Sequence, residues 1–146
     1  MLSRSSKSVH FFFDGIKLTL RNRKELKAFL ISIFKKEKRG LDSISYIFST
    51  DKTVHDINKR FLNHDFLTDI ITFNLSENIN SVVAEVYISV DRVRENAFYQ
   101  KETFQKELHR VIFHGVLHIC GYDDKTEAQK RKMRSMEEHY LLKYFG

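Results

Sequence analysis

The sequence predicts an α+β fold, a small mixed β-sheet packed with helices, in one domain spanning residues 1–146. Three observations carry that prediction. Two stretches, Ile44–Phe48 and Val82–Val90, alternate in the period of two that half-buried strands show. Three longer stretches repeat apolar residues at helical spacing, near residues 23–39, 103–120 and 126–144. No proline, internal repeat or linker-like segment divides the chain.

Residues 9–20 read as strand, turn, strand, with Asp14-Gly15 as the turn signal between β-favouring runs. From Arg23 to Arg39 the residues Leu26, Phe29, Leu30, Ile33 and Phe34 form an inner stripe beneath a lysine-rich face, and Gly40 is the expected stop. Ile44, Tyr46 and Phe48 then mark a strand buried mostly on one side. Asp51 is the expected cap of a short helix whose inner stripe is Val54, Ile57 and Phe61. A loop, Asn63 to Asp69, leads into the compact strand Ile70–Phe73, and Ser76 to Ser81 is a polar loop. On the next strand Val82, Ala84, Val86, Ile88 and Val90 share one face, while Glu85, Tyr87 and Ser89 share the other. Asp91 to Gln100 is helical. Thr103 caps a long apolar helix reaching Cys120, with Leu108, Ile112, Gly115, Val116 and Ile119 as its packing stripe. Thr126 and Gln129 form a capping box for a last helix to Tyr144, with Met133, Met136 and Tyr140 inward.

Composition excludes several classes. The hydrophobic share is 42% and includes 13 Phe, which rules out a disordered chain. A single cysteine, Cys120, excludes an internal disulfide framework and fits a reducing compartment. The run Val9–Phe13 is too short for a signal-peptide core and is broken by Asp14 and Gly15. Nothing approaches the length of a membrane span. The expectation is a cytoplasmic protein with no membrane partner. A net charge of +6 and a pI near 9.4 favour a polyanionic partner, RNA foremost, with a merely lysine-rich surface as the plainer alternative.

The chemistry concentrates in the stretch from His114 to Asp124, His-x3-His-x2-Gly-x2-Asp. Residues four apart on a helix lie on one face, so His114 and His118 can aim their imidazoles at one point. Zinc accepts imidazole nitrogen and carboxylate oxygen. Gly121 stands where a left-handed residue ends the helix and turns the chain back, bringing Asp124 round as a third ligand. The expected site is therefore one divalent metal ion, such as Zn2+, on His114, His118 and Asp124. Cys120, two residues after His118, is a possible soft ligand or a buried small residue; His109 and His139 are the alternatives to Asp124. The spacing is that of an extended zinc-protease motif, with Gly115 where a protease carries its glutamate base and Asp124 in place of a third histidine. Losing that base argues against a peptidase.

The segment His114-Gly-x-Leu117-His118-x-x-Gly121-Tyr122-Asp123, with Asn58, Asp65, the Thr68-Asp69 pair and the Ile88-Ser89 strand end, resembles the YbeY family of bacterial rRNA-maturation endoribonucleases. The similarity covers most of the chain. It implies a zincin-like metal helix near the C-terminus, a zinc ion held by His114, His118 and position 124, and cutting of single-stranded RNA. It also implies a role in maturing the 3′ end of small-subunit (16S) rRNA and in ribosome quality control, with the small subunit as partner and no small-molecule cofactor. Oligomeric state stays open. The sequence departs from the family pattern at Asp124, where a third histidine is usual, and at Leu62, where an arginine is frequent. Leu67 replaces a usual proline, and Ala84-Glu85 stands for a usual Gly-Asp. A carboxylate ligand cancels one unit of the ion's charge and makes it a weaker acid catalyst.

Glu107, two helical turns before His114, and Glu85 are the candidate proton acceptors, each weighed against an ordinary solvated carboxylate; attack by the RNA's own 2′-hydroxyl would need neither in the same way. Lys125, Lys130, Arg131, Lys132 and Arg134, with the basic face of the first helix, are the expected phosphate contacts. Tyr122 or Phe66 is the candidate base-stacking ring. Two functions follow from these features: a zinc-dependent endoribonuclease, or an RNA-binding ribosome-assembly factor whose metal is structural.

Overall fold

The structure is a computed structural model that describes residues 7–146. Its elements run β1 (Ser8–Phe13), α1 (Arg23–Lys36), β2 (Leu41–Ser49), α2 (Asp51–Leu62), β3 (Ile70–Asn74), β4 (Val82–Ser89), α3 (Val90–Gln100), α4 (Phe104–Ile119) and α5 (Glu127–Phe145). The sheet order is β1-β2-β4-β3. β1 and β4 lie parallel to β2, and β3 is antiparallel to β4, giving the α+β architecture with a mixed sheet.

Ile44, Tyr46, Phe48, Ala84, Val86 and Ile88 are buried on one face of the two central strands. Helix α4 crosses that face. Its backbone is tied to the sheet by Tyr46, whose hydroxyl donates to the Ile112 carbonyl at 2.8 Å. Gly115 lies against β3 and β4, where a Cβ would stand 3.1 Å from side-chain carbons of both Ile70 and Val86. Helices α1, α3 and α5 pack around the rest of α4, so nearly its whole length is buried. Each fully buried Leu, Ile or Phe of this core contributes about 1.5–3 kcal/mol relative to exposure.

Several expectations need correction. Residues 9–20 do not form a hairpin. Gly15 does turn the chain, at φ +67°, but β1 pairs in parallel with β2 across the α1 crossover, and residues 16–20 carry no strand. Their alternating pattern has a different cause: Leu20 is buried, and Ile16 and Leu18 pack on the core, without a partner strand. Helix α1 ends at Lys36, and Lys38, not Gly40, takes the left-handed conformation beyond it. Gly40 is needed for a chain crossing, since a Cβ there would collide with the Asn80 backbone. Helix α2 is capped by Thr50, which accepts from Thr53 N at 3.2 Å. Its buried residues are Val54 and Asn58, while Phe61 is 65% exposed. Among the described residues no helix is long and apolar enough to cross a membrane.

Candidate metal centre and its cleft

The end of α4 is built as the spacing requires. Thr103 caps its start by accepting from Lys106 N at 3.1 Å. Gly121 takes φ +109°, and the amide of Tyr122 returns to the Leu117 carbonyl at 3.0 Å. This left-handed stop swings residues 122–124 back along the helix. The turn is pinned from outside the motif: Glu37 accepts from the hydroxyl of Tyr122 at 2.9 Å and from that of Tyr140 at 2.6 Å.

His114 and His118 stack with ring centroids 6.4 Å apart and an interplanar angle of 8°. Each spends its Nδ1 hydrogen on a group that can only accept. His114 donates to Glu137 Oε2 at 2.7 Å, and His118 to the Tyr122 carbonyl at 3.0 Å. Both Nε2 atoms are thereby left free of intrahelical partners. His114 Nε2 lies 3.5 Å from Asp124 Oδ2, on a side chain 46% exposed. The His114 imidazole is thus bracketed by two carboxylates. Burial opposes its charge, but the hydrogen bond and negative charge of Glu137 outweigh that and hold its pKa above the ordinary value.

These residues open onto a cleft of about 350 Å3, lined by His114, His118, Asp124, Asp69, His64 and Phe66 among others. Residues 68–72, at the free edge of β3, form one wall. Among the described residues no lysine or arginine lines this cleft. Nitrogen, nitrogen and carboxylate oxygen make a donor set zinc accepts. Among the described residues, however, no three His, Cys, Asp or Glu side chains converge closely enough to enclose an ion.

The other candidates fall elsewhere. Glu107 is buried, 3.2 Å from Arg110 Nε, in a second cavity of about 180 Å3 that shares Asp69, Ile70 and His114 with the cleft, and it does not itself line the cleft. Burial raises its carboxyl, against the pull of Arg110. Glu85 accepts from the Tyr87 hydroxyl at 3.2 Å, away from the cleft. Cys120 is buried and does not line the cleft, and burial pushes its thiol up to about 12. His109 is buried, with Nδ1 donating to the Gln105 carbonyl at 2.7 Å. His139 packs edge-on to Tyr140. Tyr122 is committed to Glu37, and Phe66 lines the cleft. Leu62 also lines it.

Two residues at the site were given no role there by the sequence, although Asp69 belongs to the Thr68-Asp69 pair that carries the family resemblance. Glu137 lies 23 residues beyond His114, on another helix, and no spacing rule links them. Asp69 is a half-buried carboxylate in the cleft wall that accepts from Asn96 Nδ2 at 3.3 Å. Burial raises its carboxyl above the usual range, partly offset by His114. Its position directly after Thr68, at the start of a strand, was the available signal.

The family model described as Endoribonuclease YbeY matches residues 14–145. A Cytophaga hutchinsonii protein named Endoribonuclease YbeY is 42% identical over 134 residues, 92% of this chain and 94% of that protein. A Flavobacterium psychrophilum protein of the same name is 46% identical over 110 residues, 75% of this chain and 78% of its own length. The solution structure of a Thermotoga maritima protein matches with a TM-score of 0.63 at 28% identity, covering 94% of this chain and 89% of that one. With its model matched from the first turn to the last helix, the chain belongs to the endoribonuclease YbeY family.

Proposed function

We propose that the protein is a metal-dependent endoribonuclease that cuts single-stranded RNA in this cleft, with one Zn2+ held by His114, His118 and Asp124. The bracketing of His114 carries the metal reading. Its Nδ1 hydrogen goes to Glu137, so a carboxylate 3.5 Å from Nε2 faces a lone pair unless a proton or a cation lies between them. Asp124 is exposed and lines the same cleft as His114 and His118. The nuclease reading rests on family membership and on the names its relatives carry.

When bound, the ion polarises a phosphodiester oxygen and makes water a stronger nucleophile at neutral pH. The chain's own residues do the rest. Glu137 fixes the tautomer and rotation of His114, and the Tyr122 carbonyl does the same for His118. Asp69, the cleft carboxylate not engaged with a histidine, accepts the proton of the attacking oxygen. Gly115 leaves no room for the peptidase base, because the helix there touches β3 and β4. Family membership extends the proposal to maturation of the 3′ end of 16S rRNA and quality control on the small subunit, in the cytoplasm, without a small-molecule cofactor.

A second reading, an RNA-binding assembly factor with little or no cleavage activity, is favoured by the absence, among the described residues, of any lysine or arginine in the cleft to hold a scissile phosphate. Incubating purified protein with single-stranded rRNA fragments separates the two. The enzyme yields product that vanishes on chelation and in His114→Ala. RNA binding without product at any divalent metal establishes the assembly factor instead. Asp124→Ala is expected to lose zinc stoichiometry; full retention removes Asp124 from the ligand set.

A further inference from the structure

The loop between α2 and β3 uses its polar groups to hold itself still. Asn63 takes the left-handed conformation at the end of α2, and the His64 amide returns to the Asn58 carbonyl at 3.1 Å. Asp65 Oδ1 lies 2.9 Å from His55 Nε2. The buried Asn58 donates from Nδ2 to the Phe66 carbonyl at 2.9 Å. Three successive loop residues are therefore anchored to α2, and what they turn outward is aromatic.

His64 and Phe66 stack on each other, 5.1 Å between centroids and 22° between planes, and both line the cleft that holds His114 and His118. Phe66 is 55% exposed, whereas Ile71 on the β3 wall of the same cleft is buried. A ring fixed by its backbone but left more than half open to solvent contributes little to folding. It is a surface awaiting another flat ring, since offset stacking at such distances is favourable. With no lysine or arginine in the cleft among the described residues, recognition there falls to ring faces and not to phosphate charge.

We infer that His64 and Phe66 form a nucleobase-stacking subsite at the rim of the cleft, which takes an unpaired base of the RNA strand. The inference rests on the reading of the substrate as single-stranded RNA. A base within a duplex has both faces covered by its neighbours, so the subsite selects single strands without reading sequence. Preorganisation of the loop lowers the entropic cost of binding.

The test uses a short single-stranded RNA with one 2-aminopurine, and the duplex of the same sequence, titrated with the full chain and with Phe66→Leu, Phe66→Tyr and His64→Ala. The fluorescence of 2-aminopurine is quenched when it stacks. The expected result is quenching by the parent, a loss of single-strand affinity of roughly 5- to 100-fold in Phe66→Leu, near-parental binding in Phe66→Tyr, and unchanged duplex binding throughout. Phe66 is exposed, so unchanged melting temperatures will show that the variants fold. If Phe66→Leu and His64→Ala bind and quench like the parent while single strands are still cut, the subsite is overturned and the nuclease reading stands. A parent that binds no single-stranded RNA overturns both.

Discussion

Glu137 places His114 more firmly than anything within the motif. Its carboxylate takes the Nδ1 hydrogen at 2.7 Å and is itself 7% exposed, with Arg134 and Arg110 at 3.5 and 3.9 Å. Groups that hydrogen-bond a ligating histidine from behind orient the ring and raise its basicity. Glu137→Ala is therefore expected to weaken zinc binding about 10- to 100-fold, read by competition against a chromophoric chelator. An unaltered affinity would reduce Glu137 to a structural partner of Arg110. Asp69→Asn is the complementary change. It keeps the shape and the hydrogen bond from Asn96 but removes the proton acceptor, so zinc content should stay the same while kcat falls about 100- to 10,000-fold. Equal turnover in the variant would leave proton removal to solvent or to the RNA. At Gly40 the obstacle is backbone, because a Cβ there runs into the Asn80 carbonyl and cannot be relieved by a rotamer change. Gly40→Ala should destabilise the fold by about 1–3 kcal/mol in urea denaturation, as overpacking does, and an unchanged midpoint would mean that the chain at Asn80 gives way.

Helix α4 was readable from the sequence because everything that defines it is local: the Thr103 cap, the helical period, Gly121 and two histidines one turn apart. The failures lie where partners are distant. Alternation in residues 9–20 marks extended chain but does not say that β1 pairs with β2 some 35 positions away. The period of α2 marks a helix, but its inward face was set by Asn58 reaching for the Phe66 carbonyl, which no hydropathy pattern records. Glu137 was invisible for the same reason, since α5 meets α4 only in the fold. The α4–α5 packing also carries a pH signature. His109 is buried against Tyr144 and Phe145, with ring centroids at 5.4 and 4.9 Å, and burial holds its pKa below the ordinary 6.5. The folded protein thus keeps His109 neutral while the unfolded chain protonates it. Its contribution is complete above about pH 6.5 and is lost as pH falls from there toward the depressed folded value. Thermal melts of the parent and His109→Phe from about pH 7.5 to 5.5 should show the parent losing ground to the variant on the acid side. A difference that stays constant with pH would mean His109 titrates alike in both states.

Across the whole molecule, the net charge of +6 and the chemistry of the cleft are kept apart. Among the described residues the cleft has no lysine or arginine, and the basic groups beside it in the chain are Lys59 and Arg60, between the lining residues Asn58 and Leu62, and those where the loop after Asp124 enters α5. There Lys130 is 3.9 Å from Glu127, and Arg134 is 3.5 Å from Glu137. Lys125, Arg131 and Lys132 are exposed and make no ion pair among the described residues. This division assigns two energetic roles to two surfaces. Phosphate binding on the flank gives affinity without preference, through release of counterions from the RNA, while the cleft supplies selectivity for an unpaired base. Charge counting alone could foresee the first surface and not its separation from the second, because the separation depends on which residues the α2–β3 loop turns inward. The consequence is measurable as a salt dependence. Each phosphate neutralised on a single strand adds about 0.7 to the slope of log affinity against log salt. Replacing Lys125, Arg131 and Lys132 together by glutamine should weaken single strands and duplexes alike and flatten that slope by about 0.7 for every phosphate left without its cation. The ratio of single-strand to duplex affinity should stay at the parental value. A triple variant with the parental slope would move the phosphate track to the lysine-rich face of α1, and a changed ratio would show that charge, not the cleft, sets the preference.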